Sequence, residues 1–139
     1  MKRIIAIEEV LPNIDEINES LRSNTAGAVA HFVGNIREWN GERQVEYIDF
    51  EVYDVMAIDE LNRITERLFG SYAIESITFY HRKGRVRPNE TAVIAAVSAP
   101  HRKDAFEALM ELMNALKKTV PIWKKEVYQD GHVWVSAHP

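Results

Sequence analysis

Cysteine does not occur anywhere in the 139 residues. Its absence excludes disulfides, thiolate metal sites and thiol nucleophiles within the chain, so any sulfur chemistry needs a sulfur brought in by another molecule. His31, His81, His101, His132 and His138 lack metal-ligand spacing, and no metal or cofactor is expected. No apolar run approaches the roughly 20 residues that span a bilayer. The opening MKRIIAIEEV turns acidic where a signal peptide stays apolar, which makes the cytoplasm the expected location. Repeats, low-complexity tracts and linkers are missing, as are the glycine-rich phosphate loop, the dinucleotide fingerprint, the zinc-peptidase pair and the serine-hydrolase elbow. A composition 46% hydrophobic and 27% charged suits one compact domain over residues 1–139. Basic excess is lacking too: a net charge of −4 argues against general nucleic-acid binding, so local basic clusters stand out.

The most informative cluster lies in APHRKDAFEALMELMNALKKTVPIWKKE, residues 99–126. Phe106, Leu109, Met110, Met113 and Leu116 recur at helical spacing and predict a helix with that face against a core. His101 and Arg102 stand at its start, where free backbone N–H groups suit a phosphate or carboxylate. Lys117 and Lys118 stand at its end, where cations complement the helix dipole. Pro121 should stop the helix near Thr119 or Val120. The following IWKKEVY then reads as a strand with Ile122, Lys124 and Glu126 on one side and Trp123, Lys125 and Val127 on the other. At about 1.5 Å per residue, His101 and Lys117 lie roughly 24 Å apart along the axis. One small-molecule pocket cannot hold both from a single helix, so serving the same ligand requires two copies of the chain, as in a two-fold dimer.

Elsewhere the periods alternate. Strands are expected over residues 2–8, 27–36, 44–53, 74–81, 91–99 and in a last HVWVS. Helices are expected in IDEINESLRS and from Asp54, with Asp54 as N-cap and Met56, Ile58, Leu61, Ile64 and Leu68 inward. Apolar residues on both faces of GAVAHFVGNI suggest a strand well inside the sheet, with His31 a hydrogen-bonded histidine in or near the core. Gly34 suggests a bulge or close backbone approach, and Arg37 sits where that strand runs out. Asn40–Gly41 signals a hairpin with a loop longer than two residues. Arg82, Lys83, Arg85 and Arg87 could meet a polyanion, although a solvated turn explains them more simply. Irregular strand and helix order favours an α+β fold with three main helices and a mixed, largely antiparallel sheet.

Five segments together carry a resemblance: FVGNIR at 32–37, FEVYDVMA at 50–57, HRKGRVRPNE at 81–90, SAPHRKDAF at 98–106 and LKKTVPIWKKE at 116–126. In this order they resemble the large, catalytic subunit of molybdopterin synthase. The resemblance implies an α/β-hammerhead-like fold and a sulfurtransferase of molybdenum cofactor biosynthesis. Such an enzyme makes the molybdopterin dithiolene from cyclic pyranopterin monophosphate, with each sulfur taken from the C-terminal thiocarboxylate of a small ubiquitin-like subunit. It also implies a homodimer within a heterotetramer. By position, Lys117 and Lys124 match the catalytic lysines. Arg37, His101, Arg102 and Glu126 match substrate-pocket residues, and Asn35, Ile36 and Lys125 lie in the same segments. Asn35 stands where a lysine often occurs, and Asn89 where glycine is usual, a position asparagine tolerates at positive φ. Lys117, crowded by Lys118, is suited to proton transfer or to holding an acyl intermediate. The competing readings are an anion-binding homodimer that holds a ubiquitin-like tail without chemistry, and nucleic-acid binding through residues 82–87.

Overall fold

The computed structural model describes residues 2–136; His138 and the residues beside it lie outside that range. Two sheets form. One runs β1 (Lys2–Glu8), β5 (Ser76–Arg82), β7 (Thr91–Ala99) and β2 (Ala28–Asn35). The other runs β3 (Trp39–Asn40), β4 (Arg43–Val52), β8 (Ile122–Tyr128) and β9 (Gly131–Ser136), with β6 (Gly84–Val86) also on β4. Among the described residues only β1 with β5 is parallel, so the sheets are mixed and largely antiparallel, as expected.

The first sheet is covered on both faces, and its central strand explains why β7 is apolar throughout. Ile94 and Ala96 meet Ile17 of α1 (Ile14–Ser20) and Leu21, its C-cap, whereas Val93, Ala95 and Val97 join the main core. That core also takes Ala57, Leu61, Ile64 and Leu68 of α2 (Asp54–Ser71) and Ala105, Ala108, Leu109, Leu112 and Leu116 of α3 (Arg102–Thr119). The small alanines let α3 approach the sheet closely.

Several expectations need correction. β2 is an edge strand rather than an inner one. Ala28 and Ala30 pack on the main core and Val29 on the α1 side, whereas Phe32 and Val33 further along are exposed, so apolar residues on both faces do not mark a central place in the strand order. Phe106 and Met110 are 63% and 64% exposed, as is Met56 at 64%, so they lie outside the core. Asp54 is the first residue of α2, not its cap; Tyr53 occupies the cap without a side-chain bond, and Asp54 instead pairs with Lys83 at 3.0 Å. The Gly41–Glu42 turn is a tight two-residue hairpin, but it joins the short β3 to β4 rather than β2 to β4. His31 leaves Nε2 unpartnered among the described residues rather than hydrogen-bonded, and burial lowers its basicity.

Gly34 marks the expected irregularity, with the register shifting between it and Asn35, and a Cβ there would meet Val93 at 2.5 Å. At Gly27 a Cβ would sit 2.4 Å from the Pro100 carbonyl oxygen, a backbone atom that cannot swing aside. Gly27→Ala is therefore expected to cost about 1–3 kcal/mol. Gly70→Ala, in α2 with nothing within 4 Å, should stabilise by roughly 0.4–1 kcal/mol. Chemical denaturation of both variants checks the contrast; equal effects would contradict the packing given for Gly27.

Candidate functional site

Pro121 sets the geometry of the site. α3 stops at Thr119, the Val120 amide still bonds the Leu116 carbonyl at 3.4 Å, and the chain turns into β8. β8 then pairs antiparallel with β4, placing Lys124 opposite Phe50 and Glu126 opposite Ile48. On its inner side Ile122 and Tyr128 are buried, and Lys124 and Glu126 lie between them. The result is a cleft of about 510 Å³ against the end of α3, lined among others by Arg37, Lys117, Lys124 and Glu126.

Its floor is apolar, built from Val45, Ile48, Phe50, Val93, Leu116 and Ile122. At the edge β2 runs out through Asn35 and Ile36. The Asn35 side chain accepts from the Thr91 hydroxyl at 2.7 Å, while the Ile36 amide and carbonyl bond Glu90 and Asn89. That turn is closed by Asn89 at φ +68°, the positive value asparagine tolerates. Arg37 therefore leaves a pinned backbone. No ion pair forms at Arg37, Lys117 or Lys124 among the described residues. Three cations facing one carboxylate over an apolar floor repel one another, and an incoming anion relieves that repulsion.

Glu126 is held in place. The Tyr128 hydroxyl donates to its carboxylate, and the Asn40 amide donates to both, at 3.3 Å to Glu126 and 3.0 Å to Tyr128. Burial, then the bond to Glu126, pushes the Tyr128 phenol up and keeps it a donor. Behind it Arg43 lies 3.8 Å over the Tyr128 ring and pairs with Asp130 at 2.9 Å.

Of the residues singled out in the sequence, Asn35, Ile36, Arg37, Lys117, Lys124 and Glu126 line this one cleft. His101 and Arg102 do not; they are exposed at the other end of α3. Lys125 points the opposite way, its ammonium 5.8 Å from the Trp134 ring centroid, as strand alternation requires. The basic segment 82–87 is internally engaged: Arg85 meets Asp49 and stacks on Tyr47, and Arg82 bonds the carbonyls of Glu9 and Arg85.

His81 went unnoticed as a site residue, although the inward parity of Ile77 and Phe79 on β5 carries on to it. It lines the cleft while only 6% exposed. Burial, with a smaller contribution from the Lys124 ammonium, brings its pKa down to about 4.

The MoaE protein family model matches residues 7–119. A molybdopterin synthase catalytic subunit from Pyrococcus abyssi is 37% identical over 124 residues, 89% of this chain and 84% of that one. The molybdopterin synthase structure from Staphylococcus aureus superposes with a TM-score of 0.84 at 33% identity, covering 96% of this chain and 94% of that one. A complex of subunits 1 and 2 of the molybdopterin-converting factor from Helicobacter pylori shares the fold, with a TM-score of 0.76 at 17% identity over 96% and 89%.

The buried imidazole has a stability consequence. Between pH 6.5 and 4 the unfolded chain binds a proton at His81 that the folded chain refuses, so stability is full above that window and falls as pH drops through it. The loss is of order 3 kcal/mol by pH 4. His81→Phe should flatten this part of the curve of unfolding free energy against pH, and an unchanged slope would show that the ring is not held neutral.

Proposed function

The chain belongs to the MoaE protein family, and on that premise we propose that it is the catalytic subunit of a molybdopterin synthase, a sulfurtransferase whose reaction centre is the cationic cleft. The convergence of Arg37, Lys117 and Lys124 over an apolar floor is the observation that carries this reading. Both proposed reactants are anions. Cyclic pyranopterin monophosphate brings a phosphate, and the small ubiquitin-like carrier brings a C-terminal thiocarboxylate. A partly dry cationic cleft attracts both and offsets charge that develops between them. Its volume suits a flat heterocycle with an extended tail.

When the thiocarboxylate sulfur bonds the substrate, the tail's acyl group must pass to water or to an amine. Lys117, at the end of α3 and on the cleft wall, is the proposed group for that proton transfer or acyl intermediate. Lys124 orients and polarises, Arg37 grips the phosphate, and Asn35, Ile36 and the anchored Glu126 shape the wall. Lys125 supports β8 from the opposite face.

His101 and Arg102 enter through a second copy. Midway between Arg102 and Lys117 the exposed face of α3 carries Phe106 and Met110, an apolar stripe that an antiparallel α3 pair would bury. Such a two-fold pairing brings each copy's Arg102 toward the other copy's Lys117.

In a conversion assay with thiocarboxylated carrier, Lys117→Ala is expected to lose more than about 100-fold in rate without loss of fold. Full activity would remove Lys117 from the chemistry. Arg102→Ala and Lys117→Ala, each inactive alone, should on mixing recover about a quarter of wild-type activity, because half of the dimers would then hold one intact site. No recovery after verified subunit exchange would place Arg102 in its own chain's site.

A further inference from the structure

At the floor of the cleft the two nitrogens of His81 are in different situations. Nδ1 lies 2.7 Å from the Arg82 carbonyl oxygen. A carbonyl only accepts, so Nδ1 carries the proton, and in a neutral ring Nε2 is left with a lone pair. The ring is fixed edge-on to Phe50 at 5.0 Å between centroids and tilted against Phe79 at 6.3 Å. Among the described residues the ring's hydrogen bond is the one at Nδ1.

The ring opens onto the cleft beside Phe50, Ile48 and Val93, so a ligand that displaces water there must offer Nε2 a donor in its place. Phosphate, thiocarboxylate and carbonyl oxygens offer only lone pairs and are refused there. The charged groups facing the same space are Lys124 and Glu126 from β8, Lys117 from α3 and Arg37 beyond β2, while the register partners of His81 on β1 and β7 are the apolar Ile7 and Val93. Burial and the Lys124 ammonium both keep the ring neutral, so Nε2 remains an acceptor through the physiological range.

We propose that His81 is a ligand-binding residue of the cleft whose unprotonated Nε2 accepts a hydrogen bond from an N–H of the substrate's pterin ring, selecting the heterocycle while the rim cations hold its phosphate. The inference rests on the cleft being a pyranopterin site. It divides the cleft into a floor that reads ring donors and a rim that reads anionic charge.

Calorimetric titration of the full chain with cyclic pyranopterin monophosphate and, separately, with inorganic phosphate tests the division. His81→Phe should weaken pyranopterin binding about tenfold, the scale of one hydrogen bond in a dry site, and leave phosphate binding unchanged. His81→Gln, which restores an acceptor near the Nε2 position, should recover most of the affinity. The 15N resonance of His81 Nε2 in the wild type should move on adding pyranopterin but not phosphate. Equal pyranopterin affinity in wild type and His81→Phe overturns the inference and leaves the cleft reading standing. Parallel loss of phosphate binding also overturns it, by making the role structural. A wild-type chain that binds no pyranopterin removes the cleft reading as well.

Discussion

The antiparallel pairing of β4 with β8 is the constraint on which the cleft depends. Lys117 ends a helix and Lys124 sits in a strand, seven residues further on, and no local rule makes them face each other. They do so because Pro121 breaks the helix and because the register Phe50 with Lys124 and Ile48 with Glu126 fixes which side of β8 turns inward. A one-residue slip would put Trp123 and Lys125 where Lys124 and Glu126 stand, and the cleft would lose its carboxylate and have its second lysine displaced to the carboxylate's place. The bond from the Tyr53 amide to the Pro121 carbonyl, at 3.4 Å, ties the end of β4 to that break.

Around this constraint the rest of the chain is support. An acidic protein gathers three cations without ion pairs in one cleft, while several basic residues elsewhere are paired: Arg85 with Asp49, Lys83 with Asp54, and Arg43 with Asp130 and the Tyr128 ring. The first sheet, sealed between α1 on one face and α2 with α3 on the other, supplies a rigid wall from which β2 and β5 deliver Arg37 and His81. Rigid delivery matters because groups aimed at developing charge must be in place before the reaction begins.

Much of this was legible locally. The helical spacing from Phe106 to Leu116, the stop at Pro121, the alternation of IWKKEVY and the irregularity at Gly34 all report short-range geometry, which sequence encodes directly. What stayed hidden depends on neighbours distant in the chain. Periodicity marked an apolar stripe on α3 but not which part of it meets the sheet, so Phe106 and Met110 were placed inside, whereas Ala105 and Ala108 lie there. The edge position of β2 is a matter of strand order, about which facial patterning is silent. The clamp of Asn40 and Tyr128 on Glu126 joins residues 86 and 88 apart in sequence. His81 reads from the sequence as the last residue of a strand, and only the packing of Phe50 against it shows a buried ring at the cleft.

The central claim is that one cationic cleft does chemistry rather than merely holding an anionic tail. Its most direct test is reconstitution of the wild-type chain with thiocarboxylated carrier and cyclic pyranopterin monophosphate, read out as dithiolene formation. The expected result is dithiolene product with two carriers desulfurised for each molecule made. Binding of the carrier tail with no dithiolene at any concentration of the chain would contradict it.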